Sequence, residues 1–337
     1  MIYLKNDYSE GCHPRILEAL SHTNLEATTG YGLDEYCAEA AALIKSTFSC
    51  PEADVHFLVG GTQANMTMLS HILRPYEAAI AVSTGHINVH ESGAVEATGH
   101  KIVTYPNPTG KVTPEMVELA LVDNPDEHTV SPAAVYISNA TEIGTIYTKA
   151  ELYALRDCCH NHGLYLYMDG ARLGSALTSP ENDLSPADIP ACCDAFYVGG
   201  TKNGAMFGEA MVIVNDALKK NFRTSIKQRG AMLAKGRLLG IQFVELFRDS
   251  LWFELAKHAN TLSAQLQTGL EEKNVPLLVH SPTNQIFPIF SNDYVEKLSH
   301  DFAFETWGKY DEDHTIIRLV TSWATDPKVV TDFLSAI

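Results

Sequence analysis

The chain has 337 residues, 45% hydrophobic and 19% charged, the proportions of a globular protein long enough for two domains around a sizeable core. Asp and Glu number 41 against 24 Lys and Arg, and the formal net charge of −17 repels nucleic acid and anionic membrane surfaces. No apolar run reaches the ~18 residues of a membrane span, and residues 1–7 turn polar too early for a signal peptide, which predicts a soluble, cytoplasmic protein.

Ile16, Leu17 and Leu20 fall at helical spacing, and so do Ala40, Leu43, Ile44 and Phe48. Apolar strands then alternate with helices. Residues 55–59 read as a strand stopped by Gly60-Gly61, with Thr62 expected to cap the helix that follows. Further strands are predicted at 79–82, 101–105, 133–138, 164–168, 195–198 and 209–214. Helices are predicted at 90–97, from Thr113-Pro114-Glu115 onward, at 148–162 and near 186–193. Near-continuous apolar strands of this kind belong in a mostly parallel sheet covered by helices on both faces. After Asp216 the pattern changes to a helical region at 231–272 with breaks at Gly236 and Gly240. Strands at 285–290 and 316–321 follow, with a helix at 294–300 between them and a last helix from Pro327. The expected fold class is α/β, with a large domain over 25–225. A smaller α+β domain combines 1–24 with 226–337.

Seven cysteines include the adjacent pairs Cys158-Cys159 and Cys192-Cys193. Adjacent cysteines make poor staples, and both pairs fall in helices, so buried thiols in a reducing compartment are expected. Cys158-Cys159-His160-Asn161-His162 has no common zinc spacing and reads as a helix end.

Four groups follow directly after strands, at the rim where α/β sheets bind ligands. Gly60-Gly61-Thr62-Gln63 opens a helix whose free N–H groups suit a phosphate, although it is neither a Walker loop nor GxGxxG. In Thr84-Gly85-His86 the histidine can act as a base or stack on an aromatic ligand. His86, His90 and Glu91 also have metal spacing, with no further ligand evident. Asp169 closes an apolar strand and needs a cation, either Arg172 or a protonated ring nitrogen. Lys202 follows Val198-Gly199-Gly200-Thr201, where burial lowers an ammonium pKa and makes a nucleophile toward carbonyls. Arg318 lies inside the apolar run 316–320 and suits a substrate carboxylate. A phosphate loop, a stacking histidine, a pyridinium carboxylate and a Schiff-base lysine in that order describe a pyridoxal-phosphate site.

The chain resembles the threonine aldolase and β-eliminating lyase family of fold type I pyridoxal-phosphate enzymes over nearly its whole length. The resemblance is carried by Gly60-Gly61-Thr62-Gln63-Ala64-Asn65, Gly85-His86, Asp169-Gly170-Ala171-Arg172, Thr201-Lys202 and Ile317-Arg318-Leu319-Val320-Thr321. It implies retro-aldol cleavage of a β-hydroxy-α-amino acid, of threonine or allo-threonine type, to glycine and an aldehyde. The alternative it leaves is a β-eliminating lyase. It implies that Lys202 carries the cofactor as a Schiff base, His86 stacks on the ring, and Asp169 pairs with the ring nitrogen. Gly61 and Thr62 would hold the phosphate, and Arg172 and Arg318 the substrate carboxylate, with Arg172 also beside the cofactor. Tyr31, in Gly30-Tyr31-Gly32, is similar to an aromatic that reaches the site of a neighbouring subunit. The resemblance therefore implies a homo-oligomer of dimers with shared sites, a tetramer.

Two stretches depart from the family pattern. Its Arg-Ser-Asp start reads Lys5-Asn6-Asp7 here, with Asn6 in the place of a substrate-binding serine. Its Glu-Asn-Thr-His reads Ser138-Asn139-Ala140-Thr141-Glu142, which puts Glu142 where a histidine approaches the substrate hydroxyl. Glu142, His86 or a water between them is expected to accept the hydroxyl proton. The family's phosphate arginine has no evident counterpart, and Lys227, Arg229 and Lys235 are the candidates to supply its charge. No metal is expected.

Overall fold

A computed structural model describes residues 1–337. Its centre is a seven-stranded sheet made of β1 (Asp54–Leu58), β2 (Glu77–Val82), β3 (Lys101–Tyr105), β4 (Ser131–Ser138), β5 (Tyr165–Asp169), β6 (Ala195–Gly199) and β7 (Glu209–Ile213). The spatial order is β1-β7-β6-β5-β4-β2-β3. Only β7 runs against the rest. The carboxyl ends of six strands therefore share one rim with the amino end of β7. That arrangement gathers the segments after Leu58, Val82, Ser138, Asp169 and Gly199, together with Glu209, in one place.

Alternation along the strands divides the core in two. Ile80, Val82, Val135, Ile137, Leu166, Met168, Phe196 and Val198 face one apolar cluster. Ala79, Ala81, Ala134, Tyr136, Tyr167 and Tyr197 face the other, which also holds Ala64, Met68 and Leu69 of the helix Gly61–Ile72. Both faces are covered, as a largely parallel sheet requires. One consequence bears on function: three tyrosines from adjacent strands point the same way beneath that helix.

Beyond the sheet, the helix Arg237–Phe247 and the start of the helix Leu251–Glu272 pack into the first cluster, and so does Ile16. A separate cluster joins Leu4, Leu262, Leu266, Phe302, Ile317, Leu319 and Phe333. It lies against a small antiparallel sheet of β8 (Gln285–Ile286), β9 (Ile289–Ser291), β10 (Glu305–Lys309) and β11 (His314–Val320), ordered β9-β11-β10 with β8 on β11. The segment Ile2–Tyr3 pairs with Phe302–Ala303, and the Val320 N–H donates to the Leu4 carbonyl. These contacts bring Asn6-Asp7 up to the cleft between the two sheets.

Several sequence expectations are corrected. Gly60, not Thr62, is the N-cap of its helix, and Thr62 is the second helical residue. The expected helix at 90–97 is replaced by a turn of helix at His86–Val89 and a 3₁₀ turn at Glu96–Thr98. Ser92 and Gly93, at φ 52° and 72°, interrupt it. In 231–272 Gly236 does mark a boundary, as the N-cap of the helix Arg237–Phe247, but Gly240 lies inside that helix and the other break falls at Asp249 and Ser250, both left-handed. A Cβ at Gly240 would collide with the Cys37 backbone, so this glycine serves close approach to the helix Glu35–Thr47. β10 and the helix Phe222–Gln228 have no counterpart in the sequence reading. All seven cysteines are free and buried, with Cys158 and Cys159 in the helix Lys149–Asn161. No helix is long and apolar enough to cross a membrane.

Candidate active site

A cleft of about 410 Å³ opens on the rim. Gly61, Thr62, His86 and Glu142 line it, as do Asp169, Arg172, Lys202 and Arg318. Eight of the ten site residues expected from sequence are thus brought together by the strand order. Asn6 and Tyr31 are not among the lining residues. The Asn6 side chain accepts hydrogen bonds from the Tyr8 N–H and the Ser9 hydroxyl, and so caps its own turn. Tyr31 is 46% exposed and packs under Lys227, away from the cleft of its own chain. Lys227, Arg229 and Lys235 do not line the cleft either.

Asp169 ends β5 almost fully buried. Its Oδ1 accepts from the Tyr197 hydroxyl and from the Ala171 N–H at 3.0 Å. Its Oδ2 accepts from the Tyr136 hydroxyl at 2.7 Å and from Asn65 Nδ2 at 2.9 Å. Burial alone would raise its pKa, but His86, Tyr197, Asn65 and the Ala171 N–H outweigh it and hold the carboxyl below its ordinary value. No lysine or arginine is within ion-pair distance of it; the sequence alternative of an Asp169–Arg172 pair is not realised. An ionised carboxylate facing a cleft without a cation is a receptor for one. Close packing of β5 on β6 makes this exit possible, since a Cβ at Gly170 would collide with the Tyr197 carbonyl.

Asn65 extends the network. Its amide donates to Asp169 and, at 2.7 Å, to Glu91 Oε1, while its oxygen accepts from Tyr167. His86 Nδ1 lies 2.7 Å from the same Glu91 oxygen. A carboxylate only accepts, so Nδ1 carries the hydrogen and the ring is held in one orientation. The four groups Asp169, Asn65, Glu91 and His86 act as one rigid chain. The sequence alone marked Glu91 only as a metal ligand and Asn65 only as part of the Gly60–Asn65 motif, and it gave the tyrosines no role. Their signal was the two-residue alternation that puts Tyr136, Tyr167 and Tyr197 on one face.

Lys202 lines the cleft without a carboxylate partner. Burial first, then Arg172, lowers its pKa, against the opposing pull of Asp7, Asp169 and Glu209. A depressed ammonium is closer to the free amine that attacks an aldehyde. Arg172 is held by Asp7 instead, through Nε to Oδ2 at 2.8 Å and Nη2 to Oδ1 at 3.0 Å. Two of its five donors are thereby used, and the rest remain for an anion. Arg318 on β11 is turned into the cleft by pairing with Glu305 on β10, Nη2 to Oε2 at 3.0 Å, and its guanidinium stacks 5.2 Å above Trp307. Its Nε is buried without a partner, a donor available to a substrate oxygen.

Glu142 sits at the far side. Oε1 accepts from the Ser138 hydroxyl at 2.6 Å and from the His86 N–H at 3.0 Å, while Oε2 is buried with no partner. Burial raises its pKa despite the Ser138 bond. A carboxylate with one oxygen anchored and the other free is suited to receive a proton.

The family model for β-eliminating lyases matches residues 11–293. The chain belongs to the β-eliminating lyase family. A low specificity L-threonine aldolase of Pseudomonas aeruginosa is 31% identical over 331 residues, covering 96% of this chain and 93% of that protein. One from a Pseudomonas species is 32% identical over 335 residues, with the same coverages. The solved threonine aldolase of Leishmania major is 51% identical with a TM-score of 0.98, over 99% of this chain and 98% of that one. A Thermus thermophilus aspartate aminotransferase, 17% identical at a TM-score of 0.75 over 100% of this chain and 90% of that one, shares the fold. The fold is that of the fold type I enzymes, and the cofactor of this lyase is pyridoxal phosphate. The donor set fits it: free N–H groups at a helix start for a phosphate, a cationless buried carboxylate for a protonated ring nitrogen, and a depressed lysine for an aldehyde.

Proposed function

We propose that this lyase cleaves a β-hydroxy-α-amino acid of the threonine type to glycine and an aldehyde. Carrying the proposal is the convergence of Asp169, Lys202, Arg318 and Glu142 on one cleft, in a chain 51% identical to a threonine aldolase. Pyridoxal phosphate supplies the sink for the electrons of the broken bond. In this reading Lys202 anchors the cofactor, Gly61 and Thr62 give their N–H groups to its phosphate, and Asp169 keeps its ring nitrogen protonated. The His86 ring, oriented by Glu91, stacks on it.

Arg318, with the free donors of Arg172, fixes the substrate carboxylate and so orients the Cα–Cβ bond. Glu142 Oε2 takes the hydroxyl proton as that bond breaks; Cβ leaves as the aldehyde, and a proton delivered to Cα completes glycine. Asn6 acts on substrate only through the turn that positions Asp7. Support for β-elimination comes from the family name alone.

The test is product identity with L-threonine, L-allo-threonine and phenylserine. Glycine with the matching aldehyde is expected, and pyruvate with ammonia from serine or cysteine, without glycine from any of the three, would replace this reading. The protein is expected to be coloured, and Lys202→Ala to lose the visible band.

We also infer a homo-oligomer that shares its sites. Leu25 is 95% and Leu33 62% exposed beside Tyr31, an apolar surface that a second copy would cover. The seven free cysteines suit a reducing, cytoplasmic setting. Light scattering of the purified protein tests the assembly, and a monomer would refute it.

A further inference from the structure

Glu209 is the one carboxyl of the cleft floor that the reading above leaves without a task. It opens β7, the only strand whose amino end lies on this rim, and its partners in register are Gly199 on β6 and Leu58 on β1. Those strands lead into Gly200-Thr201-Lys202 and into Gly60-Gly61-Thr62. Glu209 therefore sits between the lysine turn and the helix start assigned to the phosphate, and it lines the same cleft. The side chain is buried, its Oε2 accepts the Gly200 N–H at 3.1 Å, and no lysine or arginine lies within ion-pair distance.

A cofactor phosphate carries close to two negative charges above about pH 6. An ionised carboxylate next to it would repel it, and each nearby guanidinium charge already has a carboxylate counter-charge, Arg172 in Asp7 and Arg318 in Glu305. A neutral carboxyl does the reverse, because it supplies an O–H donor. The structure already leans toward the neutral form: burial raises the Glu209 pKa to about 7, against the opposing pull of Thr201, Gly200 and Lys202.

We propose that Glu209 is protonated when the cofactor is bound and donates a hydrogen bond to its phosphate, in place of the cation expected at that end. This rests on the pyridoxal-phosphate reading of the cleft and makes Glu209 a cofactor-binding residue. Binding is then linked to proton uptake. Above the pKa of the free protein, about 7, the carboxyl must gain a proton as the phosphate arrives, so affinity falls as pH rises, by up to about tenfold per unit.

The experiment titrates the full-length chain, freed of cofactor, with pyridoxal 5′-phosphate and with pyridoxal at pH 7 to 9. Dissociation constants are read from visible absorbance. Taking the ratio of the two cancels the titration of Lys202, which both ligands meet equally. In the wild type the advantage of the phosphorylated ligand is expected to shrink roughly tenfold or more over this range. In Glu209→Gln, which keeps a donor at every pH, it is expected to stay flat. Infrared spectra of the wild-type holoenzyme supply a second readout: a protonated-carboxyl stretch that Glu209→Gln removes. Equal pH slopes in the two proteins, a flat wild-type ratio, or no such band would overturn the proposal. Should the variant fail to fold, the wild-type ratio and band still decide. Glycine release enters neither readout, so failure of the aldolase reading is distinguishable from failure of this one.

Discussion

Removing Asp7 tests whether Arg172 is held in the cleft by the N-terminal segment. Asp7 accepts three bonds, from Arg172 Nε at 2.8 Å, Arg172 Nη2 at 3.0 Å and Asn284 Nδ2 at 2.9 Å. Both partners of the ion pair are buried, with side chains 1% and 10% exposed. Deleting one member of such a pair leaves the other charge unsatisfied, at a cost of about 3–5 kcal/mol. The Arg172 side chain lines the cleft and keeps some access to water, which puts Asp7→Ala near the lower bound of about 3 kcal/mol. At roughly 2 °C per kcal/mol for a chain of this size, the melting temperature falls by ~6 °C. Asp7→Asn keeps the volume and one acceptor and should cost about half as much. The double variant Asp7→Leu with Arg172→Met, which removes both charges, should be more stable than Asp7→Ala. Burial would raise the Asp7 pKa, but Arg172, Lys202 and Asn284 outweigh it and hold it below the ordinary value. A depressed carboxylate stabilises the fold above its unfolded pKa, and that contribution is lost as pH falls through the folded one. The gap between wild type and Asp7→Ala is therefore full at neutral pH and narrows below about pH 4. Denaturant unfolding at several pH values measures it. A penalty under about 1 kcal/mol at pH 7 would refute the argument, since that is the size of an exposed pair.

Glu142→Gln should lower the turnover of threonine by about 10²–10⁴-fold while leaving cofactor absorbance intact. Because burial raises the Glu142 pKa, the wild-type rate should fall on the acid side at a pH above the usual carboxylate range, and that limb should vanish in the variant. Gly61→Ala should weaken cofactor binding, measured by absorbance titration, because its Cβ would stand 2.9 Å from the Tyr197 hydroxyl and press on the donor that holds Asp169. Tyr197→Phe removes that donor outright. It should destabilise the protein by about 1.5–3 kcal/mol in denaturant unfolding, the range for a hydrogen bond to a charged group. An effect below about 0.5 kcal/mol would mean that Tyr136, Asn65 and the Ala171 N–H suffice to hold Asp169.

Much of the site was legible in the chain because its residues sit at strand ends. A strand is a local pattern, and the group after it must lie at the rim once the sheet is parallel. Gly61, Thr62, His86, Asp169 and Lys202 follow from that rule with no knowledge of strand order. Glu142 was placed by resemblance, and the structure adds its anchors, Ser138 and the His86 N–H. Arg318 was legible as a charge inside an apolar run, which had to have an anion.

What the tertiary structure alone decided is who meets whom. Arg172 pairs with Asp7, 165 residues away, and not with Asp169, three residues before it. Asn65 ties Asp169 to Glu91 across 104 and 26 positions. Glu305 and Trp307 reach the cleft on a strand that carries no clean alternation. Glu209 comes to the rim only because β7 runs against the other six strands of the sheet. The physical reason is the same each time. Burial periodicity is set by adjacent residues, so the chain itself determined which faces are apolar and which groups end strands. Strand order and direction are set by packing between distant segments, and they decided which of those groups share a hydrogen bond.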